Sequence, residues 1–133
     1  MFIVNEDNGS VTMNVGDTGA WFVQGERDDG EPFTEDDRAV FTVKDASDTI
    51  VLERIYRLDD DEGLGNGVIF IVLYNDDTDD WAPGSYTYEI RYVINPYYND
   101  KGEIVSGDIV DTPGIDGSGD PIHMTLKAVQ KHI

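Results

Sequence analysis

The sequence has 133 residues and a formal net charge of −19, about one uncompensated negative charge for every seven residues. An acidic surface repels phosphate, so nucleic acids and anionic membranes are excluded as expected partners. The lack of cysteine excludes disulfides, thiolate zinc sites and thiol nucleophiles. This length predicts one compact domain with its own core, spanning residues 1–133.

Short apolar stretches separated by turn-forming residues predict an all-β fold. They mark eight strands, in chain order Ser10–Val15, Thr18–Gln24, Ala39–Lys44, Thr49–Leu58, Gly67–Tyr74, Ser85–Asn95, Glu103–Asp111 and Ile122–Gln130. Seven or eight short strands with a turn about every ten residues predict a two-sheet sandwich or a barrel, and we favour the sandwich, as an immunoglobulin-like antiparallel β-sandwich. Helical periodicity is nowhere sustained, so we expect at most one helical turn, at Thr34–Asp37.

Two of these strands have informative patterns. In Ser85–Asn95, tyrosine and isoleucine alternate with residues such as Thr87, Glu89 and Arg91, which is typical of a strand buried on one side. The run Val68–Leu73 contains no polar residue. It predicts either a strand covered on both sides or a strand whose outer face meets a partner.

The negative charge belongs to the connections between the predicted strands. Of the 28 acidic residues, 20 are aspartate, which favours turns, and five lie within the strands. Acidic loops keep a β-sandwich soluble and discourage pairing of its edge strands. Adaptation to a salty habitat is an alternative origin of the charge, since four lysines accompany the 28 acids.

Clusters of aspartate are candidate calcium sites, because calcium takes carboxylate oxygens as ligands. The strongest candidate consists of Asp76, Asp77, Asp79 and Asp80. Its spacing does not fit an EF-hand loop, because the sixth position counted from Asn75 is an aspartate where glycine is required. We therefore expect solvated turns here, and neither a metal ion nor a cofactor.

The sequence does not indicate a catalytic site. His123 lies on the polar face of the last predicted strand, and His132 is next to the C-terminal residue. Ser118 lacks the preceding strand and following helix that expose a hydrolase nucleophile. The segment Gly63–Gly67 opens a strand, whereas a phosphate-binding loop opens a helix. We expect that the protein is not an enzyme.

The turn before the tyrosine-rich strand contains residues with an expected structural role: Trp81, Pro83, Gly84 and Tyr86. Proline and glycine favour a turn, and Trp81 is expected to cap one end of the core. Tyr86 stands where a tyrosine corner hydrogen-bonds back across the connection in immunoglobulin-like sandwiches.

Two connections have a distinct composition. Residues 95–102 form a predicted hairpin connection with two adjacent tyrosines, Tyr97 and Tyr98. Because one of them must face solvent or a neighbour, we expect this pair to contact a partner protein. The connection Thr112–Pro121 is rich in glycine and proline, which predicts the most mobile part of the chain.

The order of these segments resembles a known family. The similarity lies in Gly16–Thr18, Asp29–Pro32, Ala39–Lys44, Gly67–Ile71 and Pro83–Ile90, followed by a closing apolar strand. This succession resembles the N-terminal immunoglobulin-like domain of the phage baseplate upper protein family, and related small β-sandwich proteins of tailed-phage particles. Members of that family continue into a receptor-binding region, whereas this sequence ends at Ile133.

The resemblance implies a tail- or baseplate-associated docking module without catalytic residues. Its expected partners are other phage structural proteins and copies of itself. The segment Met1–Asp7 lacks the basic flank and apolar stretch of a secretory signal peptide, and no apolar run could span a bilayer. We therefore expect synthesis in the host cytoplasm followed by incorporation into the virion.

Two alternative functions remain open from the sequence. The first is a calcium-assisted carbohydrate-binding module, in which Asp76–Asp80 holds the ion and Trp21, Trp81 or Tyr98 stacks on a sugar ring. The second is an acidic nucleic-acid mimic that occupies a basic DNA-binding protein. The mimic requires carboxylates along a rigid face, whereas the acids of this sequence are concentrated in predicted loops.

Overall fold

The computed structural model describes residues 2–5, 10–25, 27, 30–59, 63, 65–101, 103–111 and 122–127, with the backbone alone at 95–98, 104–111, 122 and 123. Within these residues the chain forms nine strands and one helical turn: β1 (Phe2–Val4), β2 (Val11–Asn14), β3 (Gly19–Gln24), β4 (Arg38–Lys44), β5 (Ile50–Arg57), β6 (Val68–Leu73), α1 (Asn75–Thr78), β7 (Gly84–Tyr98), β8 (Ile104–Asp111) and β9 (Ile122–Lys127).

The strands form two sheets, which confirms the predicted all-β sandwich. The larger sheet has the order β1-β2-β9-β7-β4-β5, with β8 also paired to β7, and the smaller sheet pairs β3 with β6. The first part of β7 pairs with β9 and its second part with β8, while β4 pairs along its other edge. One pair departs from the antiparallel expectation, because β2 and β9 run parallel. Parallel strands cannot be joined by a tight hairpin, and here most of the chain separates the two strands.

The core lies between the two sheets and is rich in aromatic residues. It is formed by inward-facing strand residues, chiefly Val11, Met13, Trp21, Ala39, Phe41, Val43, Ile69, Ile71, Leu73, Tyr86, Tyr88, Ile90, Tyr92, Ile94, Met124 and Leu126. The ring of Trp21 meets those of Phe41 and Tyr88 edge-on, with centroids 5.9 and 5.6 Å apart. These contacts join the smaller sheet to the centre of the larger one.

The helical turn lies at a different place from the predicted one. Thr34 to Asp37 is a β-turn, closed by the bond from the Asp37 N–H to the Thr34 carbonyl at 3.1 Å, whereas the helical turn is α1. In both segments an aspartate carboxylate accepts a backbone N–H three residues earlier, Asp37 from Thr34 and Asp77 from Tyr74. The first turn does not become a helix because β4 begins at the next residue and draws the chain into the sheet.

Two strand boundaries also differ from the prediction. β1 was not expected, and it pairs antiparallel with β2. β7 continues to Tyr98, so Tyr97 and Tyr98 lie in a strand paired with β8 and not in the hairpin connection. The register shifts between Ile94 and Tyr97, because the intervening Pro96 has no N–H to donate to the ladder. The connection Thr112–Pro121 lies outside the described residues.

The turn before β7 is fixed by two aromatic residues. The Tyr86 hydroxyl donates to the Ala82 carbonyl at 2.6 Å, which is the hydrogen bond expected of a tyrosine corner. The Trp81 ring stacks on the Tyr86 ring, with centroids 5.3 Å apart, and packs against the edge of the core. Pro83 and Gly84 are exposed, and Gly84 has a φ of 147°, which residues with a Cβ rarely adopt.

Two core tyrosines are expected to make the fold sensitive to alkali. Burial raises the pKa of Tyr88 from 10.0 to about 12, and burial also raises the pKa of Tyr92. Above pH 10.0 the unfolded chain therefore loses protons that the folded chain retains. The free energy of unfolding should fall as the pH rises from there, by about 1.4 kcal/mol per pH unit for each tyrosine.

Urea unfolding between about pH 8 and about pH 12 measures this dependence. The variant Tyr92→Phe removes one of the two protonated groups, so it should unfold with a shallower dependence on pH above the ordinary pKa of tyrosine. A parent protein whose stability does not change over this range would contradict the burial of these hydroxyls.

Candidate functional site

The outer face of the smaller sheet is apolar and open. β3 and β6 are paired so that three outward pairs stand opposite one another: Ala20 with Val72, Phe22 with Phe70, and Gln24 with Val68. The inward residues of the same strands, such as Trp21 and Ile71, are buried in the core. The six outward residues make up the β3–β6 face, and none of them carries a charge.

A stacked pair of phenylalanines occupies the centre of the β3–β6 face. The ring centroids of Phe22 and Phe70 lie 4.6 Å apart, with an angle of 25° between the ring planes. Nevertheless 60% of Phe22 and 39% of Phe70 remain exposed. Apolar surface left in water forgoes about 25 cal/mol for each Å² that could be buried, and contiguous patches of this kind mark interaction sites.

An ion pair borders the β3–β6 face beside β6. The guanidinium of Arg54 donates from Nη1 to the Val72 carbonyl at 2.5 Å, and from Nη2 to Asp77 Oδ1 at 2.6 Å. Burial disfavours the charge of this guanidinium, but the hydrogen bond and negative charge of Asp77, together with Tyr56, outweigh burial and raise the pKa of Arg54. The charges at this border therefore compensate each other. Tyr74, which directly follows β6, is 55% exposed and adds an aromatic side chain beside the β3–β6 face.

The outer face of the larger sheet has a different character. Its outward residues stand opposite one another in rows that cross β5, β4 and β7. Basic, apolar and acidic residues share these rows: Arg57 and Arg38 in the first, Ile55, Val40 and Arg91 in the second, and Glu53, Thr42 and Glu89 in the third. Arg57 forms an ion pair with Asp59 at 2.6 Å, and Arg91 approaches Glu89 at 3.4 Å. This surface mixes both signs of charge, so it does not offer the continuous row of carboxylates that a nucleic-acid mimic requires.

The candidate calcium ligands are not brought together. Asp77 binds Arg54 and the Tyr74 N–H, while Asp76, Asp79 and Asp80 are exposed. Within the described part of the chain, no group of three or more acidic or histidine side chains could hold a metal ion.

A buried threonine anchors the same segment. Thr78 is fully buried, and its hydroxyl oxygen accepts the Gly16 N–H at 2.9 Å. This hydrogen bond ties α1 to the turn that follows β2. The segment thus has a structural role, because this bond joins α1 to the body of the fold.

The aromatic residues proposed for sugar stacking are mostly engaged elsewhere. Trp21 is 7% exposed and lies in the core, and Trp81 has one ring face against Tyr86. The side chain of Tyr98 lies outside the described residues. The geometry therefore gives no support to the carbohydrate-binding alternative through Trp21.

The predicted partner contacts, Tyr97 and Tyr98, lie on an arm of the larger sheet. β4 pairs with β7 as far as Val93, and in the described backbone the following residues of β7 pair with β8 alone. Residues 94–98 of β7 therefore continue about 17 Å past the end of its pairing with β4. The side chains of both tyrosines are outside the described residues, so their contact with a partner stays a prediction.

A shallow groove of about 340 Å³ opens beside Phe33. Asn66 in its wall accepts the Phe33 N–H and donates to the Phe33 carbonyl, both at 2.9 Å. Arg27, also in the wall, lies 3.7 Å from the buried carboxylate of Asp37. These polar groups hold the loop before β4 against the sheet, which is a structural role.

No helix in the described residues is long and apolar enough to cross a membrane.

The β3–β6 face was foreseen only in part from the sequence. The apolar run Val68–Leu73 indicated either full coverage or an outer face that meets a partner, and the structure leaves Phe70 exposed. Phe22 was not singled out, although adjacent residues of a strand point to opposite faces, which places Trp21 on one face of β3 and Phe22 on the other.

Comparison with protein-family models, curated proteins and solved structures gives no match.

Proposed function

We propose that this protein is a non-enzymatic structural or assembly protein of a tailed-phage particle, associated with the tail or baseplate, that acts through protein–protein contacts. The observation that carries the proposal is the stacked pair Phe22 and Phe70, left exposed on an uncharged face of an acidic sandwich. Covering this pair with another protein surface removes apolar area from water. The resemblance of the segment order to small β-sandwich proteins of phage particles supports the choice of assembly.

The distribution of charge supports the same role. The protein has a net charge of −19, yet the three outward pairs of the β3–β6 face contain no charged residue. Acidic loops around an uncharged apolar face suppress unwanted association while leaving one surface able to dock. A rigid sandwich presents such a face with little loss of conformational entropy on binding.

Purification of phage particles tests the proposal. Particles released from cells that carry the gene are separated by density gradient and washed in high salt, and this chain is quantified by mass spectrometry. We expect it in the particle fraction, at a ratio to the major structural proteins that stays constant through repeated purification. An acidic host protein of similar abundance is the control, and it should be lost in the washes. Confinement of this chain to the particle-free fraction would refute the proposal.

A further inference from the structure

We infer that the β3–β6 face docks onto a basic partner protein, at a surface where apolar residues are flanked on two sides by lysine or arginine. The inference rests on the proposed function, because it names the chemistry of the partner that covers this same face. Charge complementarity carries it: the face itself is uncharged, whereas the connections at both of its ends are acidic.

The acidic residues are concentrated in the connections that begin or end at β3 and β6. Their acidic residues number one in 15–18, seven in 25–37, four in 58–67 and four in 74–83. Each of the other four connections between strands contains two. The acidic connections contain one basic residue, Arg27, which lies 3.7 Å from the buried carboxylate of Asp37. More than half of the 28 acidic residues of the sequence therefore belong to connections of the smaller sheet.

These acidic connections flank the β3–β6 face at its two ends. Because β3 and β6 are antiparallel, two of the connections meet at each end of the paired strands. Asp76 and Asp80 are exposed in the connection that follows β6, at one end. Glu31 is exposed in the connection that follows β3, at the other end. A partner therefore meets an apolar face about 20 Å long, with negative charge beyond each end.

The contact extends beyond the six outward residues of the face. A stable complex involves about 20 residues of each partner, so the face is the centre of a larger contact. Gln24, an outward residue at one end of the face, also lines the groove beside Phe33, and Glu31 lines the same groove. A partner that follows the strands past Gln24 thus reaches an acidic wall. An apolar centre with a charged rim is the usual composition of a protein interface.

Charge also decides between the possible occupants of the face. A second copy of this chain would bring the same acidic connections to both ends of the contact, and the repulsion extends over about 8 Å at physiological salt. A partner with lysine or arginine at the corresponding positions is attracted at both ends, while its apolar centre covers Phe22 and Phe70. The basic partner is therefore the favoured occupant.

Fluorescence anisotropy of labelled synthetic peptides with the full chain tests the inference. The probe peptide has a central run of about six apolar residues, which spans the length of the face, and lysines on both sides of it. One comparison peptide has serines in the centre, and another has glutamates in place of the lysines. We expect the probe to bind at least tenfold more tightly than the serine peptide, and the glutamate peptide not to bind. Raising the salt from about 50 mM to about 500 mM should weaken binding of the probe at least tenfold.

Replacement of the exposed rings locates the apolar part of the contact. The test variant carries Phe22→Ala and Phe70→Ala, and the matched control carries Ile50→Ala and Ile55→Ala on β5. These two isoleucines are 53% and 49% exposed, so the control also removes exposed apolar side chains. We expect the test variant to lose at least tenfold in affinity for the probe and the control to bind like the parent, with both folded by circular dichroism.

Replacement of exposed carboxylates locates the charged part and does not disturb the core. The test variant carries Asp76→Asn and Asp80→Asn, whereas the matched control carries Asp48→Asn and Asp100→Asn in connections of the larger sheet, and all four residues are exposed. Both variants lose the same net charge. The test variant should bind the probe about fivefold more weakly at low salt, and the control should change less than twofold.

Several outcomes would overturn the inference. These are equal affinities for the probe and the serine peptide, binding that does not weaken with salt, and equal losses in the two aspartate variants. Sedimentation equilibrium without peptide is the further test: dimerisation that the phenylalanine variant abolishes would make a second copy the occupant. A chain found in particles that does not bind the probe would retain the proposed function and lose the inference, whereas a chain that binds the probe but is absent from particles would lose the proposed function.

Discussion

Replacing Gly67 by alanine is expected to lower the free energy of unfolding by about 4 kcal/mol. Gly67 has a φ of 81°, and a Cβ there would lie 2.3 Å from the carbonyl oxygen of Gly25. The backbone cannot move away easily, because the Gly67 N–H donates to the Leu58 carbonyl and the Gly67 carbonyl accepts the Gly25 N–H. The fully buried Tyr92 also directs its hydroxyl to the Gly67 carbonyl at 3.3 Å.

A glycine elsewhere in the chain separates the effect of crowding from that of backbone conformation. Gly30 has a similar φ of 76°, but a Cβ there would meet no atom within 4 Å. Gly30→Ala should therefore cost only the conformational strain, about 1 kcal/mol. Urea unfolding of both variants gives the comparison, and equal losses at Gly67 and Gly30 would contradict the close approach of the Gly67 and Gly25 backbones.

Asp37→Ala is expected to have the second largest effect, a loss of about 3 kcal/mol. Asp37 is fully buried, its carboxylate accepts the Thr34 N–H at 2.8 Å, and Arg27 lies 3.7 Å away. Removing this carboxylate leaves the Thr34 N–H without that acceptor. It also removes the negative charge beside Arg27, whose side chain is only 16% exposed. The turn that leads into β4 then loses the side chain that closes it.

Asp45 offers a control with similar local bonding but more solvent. Its carboxylate accepts the N–H groups of Ser47 and Thr49 at 2.9 and 3.0 Å, in an exposed turn between β4 and β5. Water can replace these bonds, so Asp45→Ala should cost about 1 kcal/mol. Thermal unfolding that ranks Asp45→Ala as the more damaging change would refute the account of Asp37.

The strands could be predicted from the sequence because the side-chain period of a strand is visible in the residues themselves. Val11 and Met13, or Tyr88 and Ile90, recur at every second position and are buried together. The partner of each strand is not visible in this way. The parallel pairing of β2 with β9 depends on how distant segments meet, and no local pattern encodes it.

The position of the single helical turn also depends on tertiary structure. Thr34 and Asp37 carry the same local signal as the segment of α1, since each has an aspartate that caps a backbone N–H. What differs is the continuation: the first segment enters β4 at once, whereas Thr78 is anchored to Gly16. The capping residues alone do not distinguish the two outcomes.

The candidate site was harder to predict than the fold for a related reason. Alternation shows which residues share a face of a strand, but it does not show which face is covered. Trp21 and Phe22 are adjacent aromatic residues, yet one is 7% and the other 60% exposed. Only the position of β3 in the smaller sheet decides between them. Tyr97 and Tyr98 were selected because they were placed in a loop, whereas they belong to a paired strand.

The protein thus combines an acidic surface with one uncharged apolar face. The net charge is −19, while the six outward residues of the β3–β6 face carry no charge and its stacked phenylalanines remain partly exposed. Under the proposed function, the charge limits unwanted association and the exposed rings form the docking surface.

Hydroxyl-radical footprinting of purified particles tests the central claim, that the β3–β6 face is covered after assembly. Phe22 and Phe70 are exposed in the isolated chain and should be oxidised there, while the fully buried Phe41 serves as an unreactive reference. In particles we predict that oxidation of Phe22 and Phe70 falls several-fold, with Phe41 unchanged. Oxidation of both residues at the same rate in particles as in the isolated chain would contradict the claim.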